Sequence, residues 1–228
     1  MNIALLLVLA AAPAPQSWQF DTDGKPEVSI SNINGSIRVE ATDGKRVLVE
    51  ATREGAGDER IEVVQEGNEV SVSLRCGPRD ASSHGCSDPH AVHFVVKTPR
   101  DSRLEVSSVN ASVKVAGGQG ALEVSSVAGD VDVKGSRGGL EVSSVSGAIA
   151  LAPESLEKTE IHSVSGDVKL KLPRGAGAHV EFSSVGGSFN GRGVNLGSTE
   201  QRYGSGEHEV EVNTVSGALN VLADEASK

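Results

Sequence analysis

Aromatic side chains are nearly missing from this chain: four Phe, one Trp and one Tyr make up 3% of its 228 residues. That scarcity excludes a bulky, aromatic-centred core. The recurring apolar residue is instead Val, whose β-branched side chain packs well on a pleated sheet. Cationic excess is missing too. Lys and Arg number 21 against 31 Asp and Glu, a formal net charge of -10. Nucleic acid and anionic membrane are therefore not the expected partners, because both require a cationic surface that displaces counterions. Cationic, neutral and glycan partners stay open.

Long apolar runs are also lacking. The one candidate, MNIALLLVLAAA at the start of the chain, is too short to span a bilayer. It matches the apolar region and small-residue cleavage zone of a secretory signal, although it has no Lys or Arg in front. Residues 1–14 are read as a signal peptide, with Pro13 and Pro15 just after the apolar run. No Cys follows the run to carry a lipid, so the mature protein is expected without a membrane anchor. It would be exported, to the periplasm, the cell surface or the extracellular space.

Cysteine is limited to Cys76 and Cys86. In an exported protein the default reading is a disulfide closing the short loop between them, contributing about 2.5 to 3 kcal/mol through loop entropy. The rival reading is a metal site, with His84, His90 and His93 as ligands in the same stretch. No C-x-x-C or H-E-x-x-H frame supports it.

What the chain has in abundance is repetition. LEVSSVNASVKV, LEVSSVAGDVDV and LEVSSVSGAIAL begin at Leu104, Leu122 and Leu140, and related copies follow at Thr159, Val180 and Val210. Val28 to Val39, VSISNINGSIRV, is a divergent earlier copy. Repeats of this period indicate stacked coils that bury a shared core none could close alone. The expected fold is all-β, a β-solenoid of coils of about 18–21 residues. Residues 15–100 form an N-terminal β-strand or cap region, 101–222 the regular array and 223–228 a tail. A cap is needed because an open stack exposes unpaired strand edges.

Within a copy, Leu104 and Val106 share one phase, whereas Val109, Val113 and Val115 share the other. The alternation therefore slips at Ser107-Ser108, and the chain must bend there. Glycines at 129, 147, 166, 187 and 217 recur just after it, permitting a tight bend or close coil stacking. Stacking in register at about 4.8 Å would align Ser108, Ser126, Ser144, Ser163, Ser184 and Thr214 as a hydroxyl column. Its default role is to satisfy buried polar groups.

Glu105, Glu123, Glu141, Glu160, Glu181 and Glu211 would form an outward ladder, with neighbours repelling by ~0.9 kcal/mol in bulk dielectric. Solubility and protection against edge association are its default roles. A face for Ca²⁺ or a cationic polymer is the functional alternative. Gly191 to His208, carrying Arg192, Arg202 and Tyr203, departs furthest from the repeat. It reads as an irregular last coil, with a contact loop as the alternative. No phosphate loop, nucleophile elbow or paired-carboxylate constellation stands out, so no catalytic residue is assigned.

SNINGSIRV near the start, VKTPRDSRLEVSSVNASVKV entering the array, the SVSGDV-type turns and RYGSGEHEVEVNTVSGALNV near the end carry a resemblance. The chain resembles a bacterial adhesin-like family of β-strand-repeat proteins, a domain of unknown function, over roughly residues 25 to 222. The resemblance implies surface interaction and brings no catalytic residues. The expected function is an exported, non-enzymatic interaction module whose partner is an envelope protein or glycan, with no cofactor beyond an optional Ca or Zn. A self-assembling envelope scaffold is the alternative, and a glycan-acting solenoid enzyme a distant third.

Overall fold

Alternation sends one set of side chains into a core and the other to solvent, and the seventeen strands follow it, except where the longest of them bend, in the computed structural model, which describes residues 15–55, 59–75 and 90–223. In β7 (Arg103–Ala116), Leu104, Val106 and Ser108 are buried, as are Ala111, Val113 and Val115. The inward phase switches across Val109 and Asn110, which both face out. The bend thus lies just beyond the expected Ser107-Ser108, and Val109 does not share the buried phase of Val113. At 42% exposure it sits outside. Ser108 continues the alternation begun by Leu104, and its hydroxyl finds partners at the bend, so it turns inward in place of the valine.

Each bend divides a coil into two legs, and each set of legs builds a sheet. First legs are the front of β7, β8 (Leu122–Ser126), β10 (Leu140–Ser144), β12 (Thr159–Ser163), β16 (His208–Thr214) and the front of β14 (Ala178–Phe189). They run parallel and in register, with Leu104, Leu122, Leu140, Thr159, Val210 and Val180 side by side. Second legs are the back of β7, β9 (Val131–Lys134), β11 (Ile149–Ala152), β13 (Val168–Lys171), β17 (Ala218–Leu222) and the end of β14. Val, Leu and Ile from both sheets fill the space between them, and every described residue in regular structure is in a strand.

The N-terminal strands extend these same sheets. β2 (Glu27–Thr42), the divergent copy, lies along β7 with Val28 opposite Leu104 and Val39 opposite Val115. On its far side stack β5 (Glu69–Arg75) and β6 (Val92–Pro99). Antiparallel strands then finish the sheets: β4 (Arg60–Glu66) on β5, and β3 (Arg46–Arg53) followed by β1 (Gln16–Asp21) on β6.

At the other end the stacking order leaves the chain order. β16 lies between β12 and β14, and β17 follows β13. The coil of residues 208–222 is therefore inserted between the coils of 159–171 and 178–189. The segment expected to be an irregular coil is instead a strand, β15 (Arg192–Tyr203), antiparallel to β14 along its length. Its excursion accounts for the long last step in the repeat.

Candidate functional site

Packing explains the inward residues; the outward ones of the first-leg sheet form the candidate site. Register places Glu105, Glu123, Glu141, Glu160, Glu211 and Glu181 on successive rungs. Glu200 of β15 stands opposite Glu181 and adds a seventh. Two residues along each strand comes a polar column of Ser107, Ser125, Ser143, His162, Asn213, Ser183 and Ser198.

Two residues further is an apolar column of Val109, Val127, Val145, Val164, Val215 and Val185, each 42–53% exposed. Backbone bonds hold it rung to rung: Ala128 N donates to Val109 O at 2.8 Å, Ser146 N to Val127 O at 2.9 Å and Gly186 N to Val215 O at 2.8 Å. Leu196, 84% exposed, falls level with Val185, between the Ser184–Gly197 and Gly186–Asn195 pairs. Because β15 runs the other way, its Leu196-x-Ser198-x-Glu200 is the repeat's Glu-x-Ser-x-Val read backwards. Leu196 also takes φ 47°, a left-handed conformation that costs a non-glycine residue about 1–2 kcal/mol.

The polar and apolar columns together line a shallow groove of ≈ 670 Å³, with Val127, Val145, Val164 and Val215 along one side. At the start of the same strands a smaller depression of ≈ 190 Å³ is lined by Arg103, Glu123, Glu141, Lys158 and Glu160, among others. Lys158 Nζ lies 2.6 Å from Glu160 Oε1. That hydrogen bond and charge hold Lys158 above its usual range, and Glu141 and Glu211 push in the same direction. The hydrogen bond from Lys158 likewise holds the Glu160 carboxyl low. Among the described residues Glu105, Glu123, Glu141 and Glu181 make no salt bridge, and Glu211 accepts only from Asn213 Nδ2 at 2.7 Å.

Behind this face the buried hydroxyl column takes the order Ser108, Ser126, Ser144, Ser163, Thr214, Ser184, with Asn32 before it. Each hydroxyl works mainly within its own bend. Ser126 Oγ donates to Gly129 O at 2.7 Å and accepts from Gly129 N at 3.1 Å, and Ser163 does the same with Gly166 at 2.8 and 3.0 Å. A rung-to-rung hydroxyl contact joins Ser108 and Ser126 at 3.2 Å. The glycines serve close stacking: a Cβ on Gly147 would lie 2.1 Å from Gly129 O, and one on Gly166 2.0 Å from Gly147 O. The amides of Gly187 and Gly217 likewise donate to Ser184 Oγ and Thr214 Oγ1, at 2.7 and 2.9 Å, so the column serves the bends structurally.

Arg192 and Arg202 stand at opposite ends of β15, beside Phe189 and His179 respectively, so they do not form one cluster. Tyr203 Oη accepts from Asn190 Nδ2 at 3.0 Å, and burial raises its phenol. His93 has both ring nitrogens engaged, Nδ1 with Ser36 Oγ at 2.8 Å and Nε2 with Glu54 Oε1 at 3.0 Å. His90 Nδ1 meets Glu59 Oε1 at 3.1 Å. Among the described residues no three His, Cys, Asp or Glu side chains gather as a metal site. Cys76, Cys86, His84 and the signal segment lie outside the described residues. Sequence reasoning missed the apolar column and the contribution of β15. The signals were the recurrent Val after the Ser pair and the reversed motif at 196–200.

A family model described as Toastrack DUF4097 matches residues 102–222. No curated protein matches the chain. Among solved structures, one described as a candidate cell adhesion protein from Clostridium sporogenes shares 12% identity, covering 92% of this chain and 100% of that one, at a TM-score of 0.44. A candidate adhesin from Bacteroides fragilis shares 12% identity over 92% of this chain and 97% of its own, at 0.40. A candidate lipid binding protein from Parabacteroides distasonis shares 11% over 92% and 97%, at 0.38.

Proposed function

The chain belongs to the Toastrack DUF4097 family, and from that premise we propose that it is an exported, non-enzymatic, adhesin-like β-solenoid module that engages a partner in the cell envelope. The contact surface is the outward face of the first-leg sheet. One observation carries this reading: the Glu, polar and apolar columns recur on β15, a strand of opposite direction and unrelated spacing. Core packing dictates only the inward residues, so nothing in the fold requires this outward recurrence. Solubility would account for the glutamates. It does not account for a parallel row of half-exposed valines, which a solvated surface is better without.

The test compares purified full-length chain with two first-sheet variants, Glu123→Gln/Glu141→Gln and Val127→Ser/Val145→Ser. A control on the other sheet is Lys114→Gln/Lys169→Gln. Each is immobilised and exposed to solubilised envelope from the producing cell. A discrete partner should be retained by wild type and control and lost from both first-sheet variants. Equal retention by all would remove the face from consideration.

A scaffold is the second reading, because among the described residues β15 and β4 each leave one edge unpaired at the ends of the first-leg sheet. Arg192, Glu200, Arg202 and the left-handed Leu196 on β15 oppose edge-to-edge growth. Light scattering that showed concentration-dependent filaments would favour the scaffold.

A further inference from the structure

The three columns define the shape and charge of what can lie on them. Four residues separate the glutamate column from the valine column along each strand, about 13 Å at the usual rise, and rungs repeat every ~4.8 Å. Seven rungs thus present two parallel stripes, one acidic and one apolar, over about 29 Å. Between them the polar column carries mostly serine, with His162 and Asn213 among it, and lines the ≈ 670 Å³ groove. An α-helix of ~20 residues is about 30 Å long and 10–12 Å across with its side chains. A strand laid along the stack would offer same-face side chains every ~6.8 Å and fall out of step within two rungs. A helix offers one turn every ~5.4 Å and keeps near step with the rungs.

Resting on the contact-face reading above, we infer that the partner element is a cationic amphipathic α-helix, lying along the stack axis with its apolar face on the valine column and its Lys or Arg side chains reaching the glutamate column. Charge complementarity selects both the partner and the face. Most of the column's glutamates make no salt bridge among the described residues, whereas the opposite sheet presents Lys114, Lys134, Lys169 and Lys171 outward. The whole chain, at -10, steers such a helix inward from solution. The apolar column gives the helix orientation that charge alone would not fix.

The experiment titrates full-length protein into three labelled synthetic peptides of about 20 residues, read by fluorescence anisotropy: a Lys/Leu amphipathic helix, its composition-matched scramble with no apolar face, and the same helix with Glu replacing Lys. Circular dichroism should show the first peptide gaining helicity on binding. The scramble and the acidic helix should each bind at least tenfold more weakly. Glu123→Gln/Glu141→Gln and Val127→Ser/Val145→Ser should each weaken the first peptide at least tenfold, with unchanged thermal unfolding, while Lys114→Gln/Lys169→Gln leaves it alone.

Equal binding of the scramble would reduce the face to a polyelectrolyte surface and overturn the inference. Equal binding of the acidic helix would overturn the charge argument, and no binding would overturn the whole. If peptide binding fails while envelope capture still depends on the same columns, only the helix is wrong. If both fail, the contact face goes with it.

Discussion

The middle of the array and its C-terminal end use the same coil and assemble it differently. From Leu122 to Lys171 each coil lies against the one that precedes it in the chain. Beyond Lys171 the chain skips a place, builds β14 and β15, and returns to fill the place with β16 and β17. In both regions the register and outward columns are the same. Column identity is therefore set by which residues sit opposite one another, and connection order is free to vary.

Deletion separates the regions most sharply. Removing residues 122–139 joins Ala121 to Leu140 and should leave a folded protein one rung shorter, since neighbour contacts are equivalent throughout the middle. Removing residues 208–222 should strip hydrogen-exchange protection from β14 and β15, which would then face an empty rung. Comparable protection in both deletions would make the two regions equivalent. Next in size is Gly147→Ala, whose Cβ would meet Gly129 O at 2.1 Å. It should cost at least the ~1–3 kcal/mol of ordinary overpacking, read as a lowered urea midpoint, whereas Gly193→Ala in the open space around β15 should stay within about 0.5 kcal/mol.

A smaller contrast is expected at the hydroxyls. Ser144 Oγ donates to Gly147 O and accepts from its amide, at 3.2 and 3.1 Å. Ser144→Ala should lose about 1–3 kcal/mol by leaving both unpaired. Ser198→Ala, on the outward column, should change the urea midpoint negligibly.

The smallest effect concerns the N-terminal end. Glu59 is 5% exposed. Burial pushes its carboxyl up, but hydrogen bonds from the His90 amide, its own backbone and the His90 ring outweigh this, and the net shift is downward. The folded state therefore binds fewer protons than the unfolded one around the carboxylate range. The stability so contributed is complete above the ordinary glutamate value and is lost as pH falls through the folded value. Glu59→Gln should flatten the acid limb of a plot of urea midpoint against pH. An unchanged limb would remove Glu59 from the balance.

The repeat made the coil, the buried hydroxyls and the glutamate ladder legible, because each recurs at a fixed place in near-identical copies. Val109 was misplaced since aliphatic residues ordinarily turn inward, and only the satisfied hydroxyl of Ser108 reverses that preference. β15 was obscure because an antiparallel strand writes the same outward pattern backwards, as Leu196, Ser198 and Glu200 do. The stacking order was not readable at all. The copies at Val180 and Val210 share one pattern of inward and outward residue types, and the pattern alone does not say which rung each takes.

The inserted coil gives the molecule a test of its own completeness. As the chain emerges N-terminus first, the coils up to Lys171 can zip together one after another, but the native place of β14 has a vacancy beside it until the last coil is made. That vacancy closes only when Val210 to Val221 arrives, so the last coil acts as a keystone. A chain cut short before it would leave sheet edges beside an empty place, a state open to proteolysis, and only molecules that carry this coil would present the seven-rung face intact.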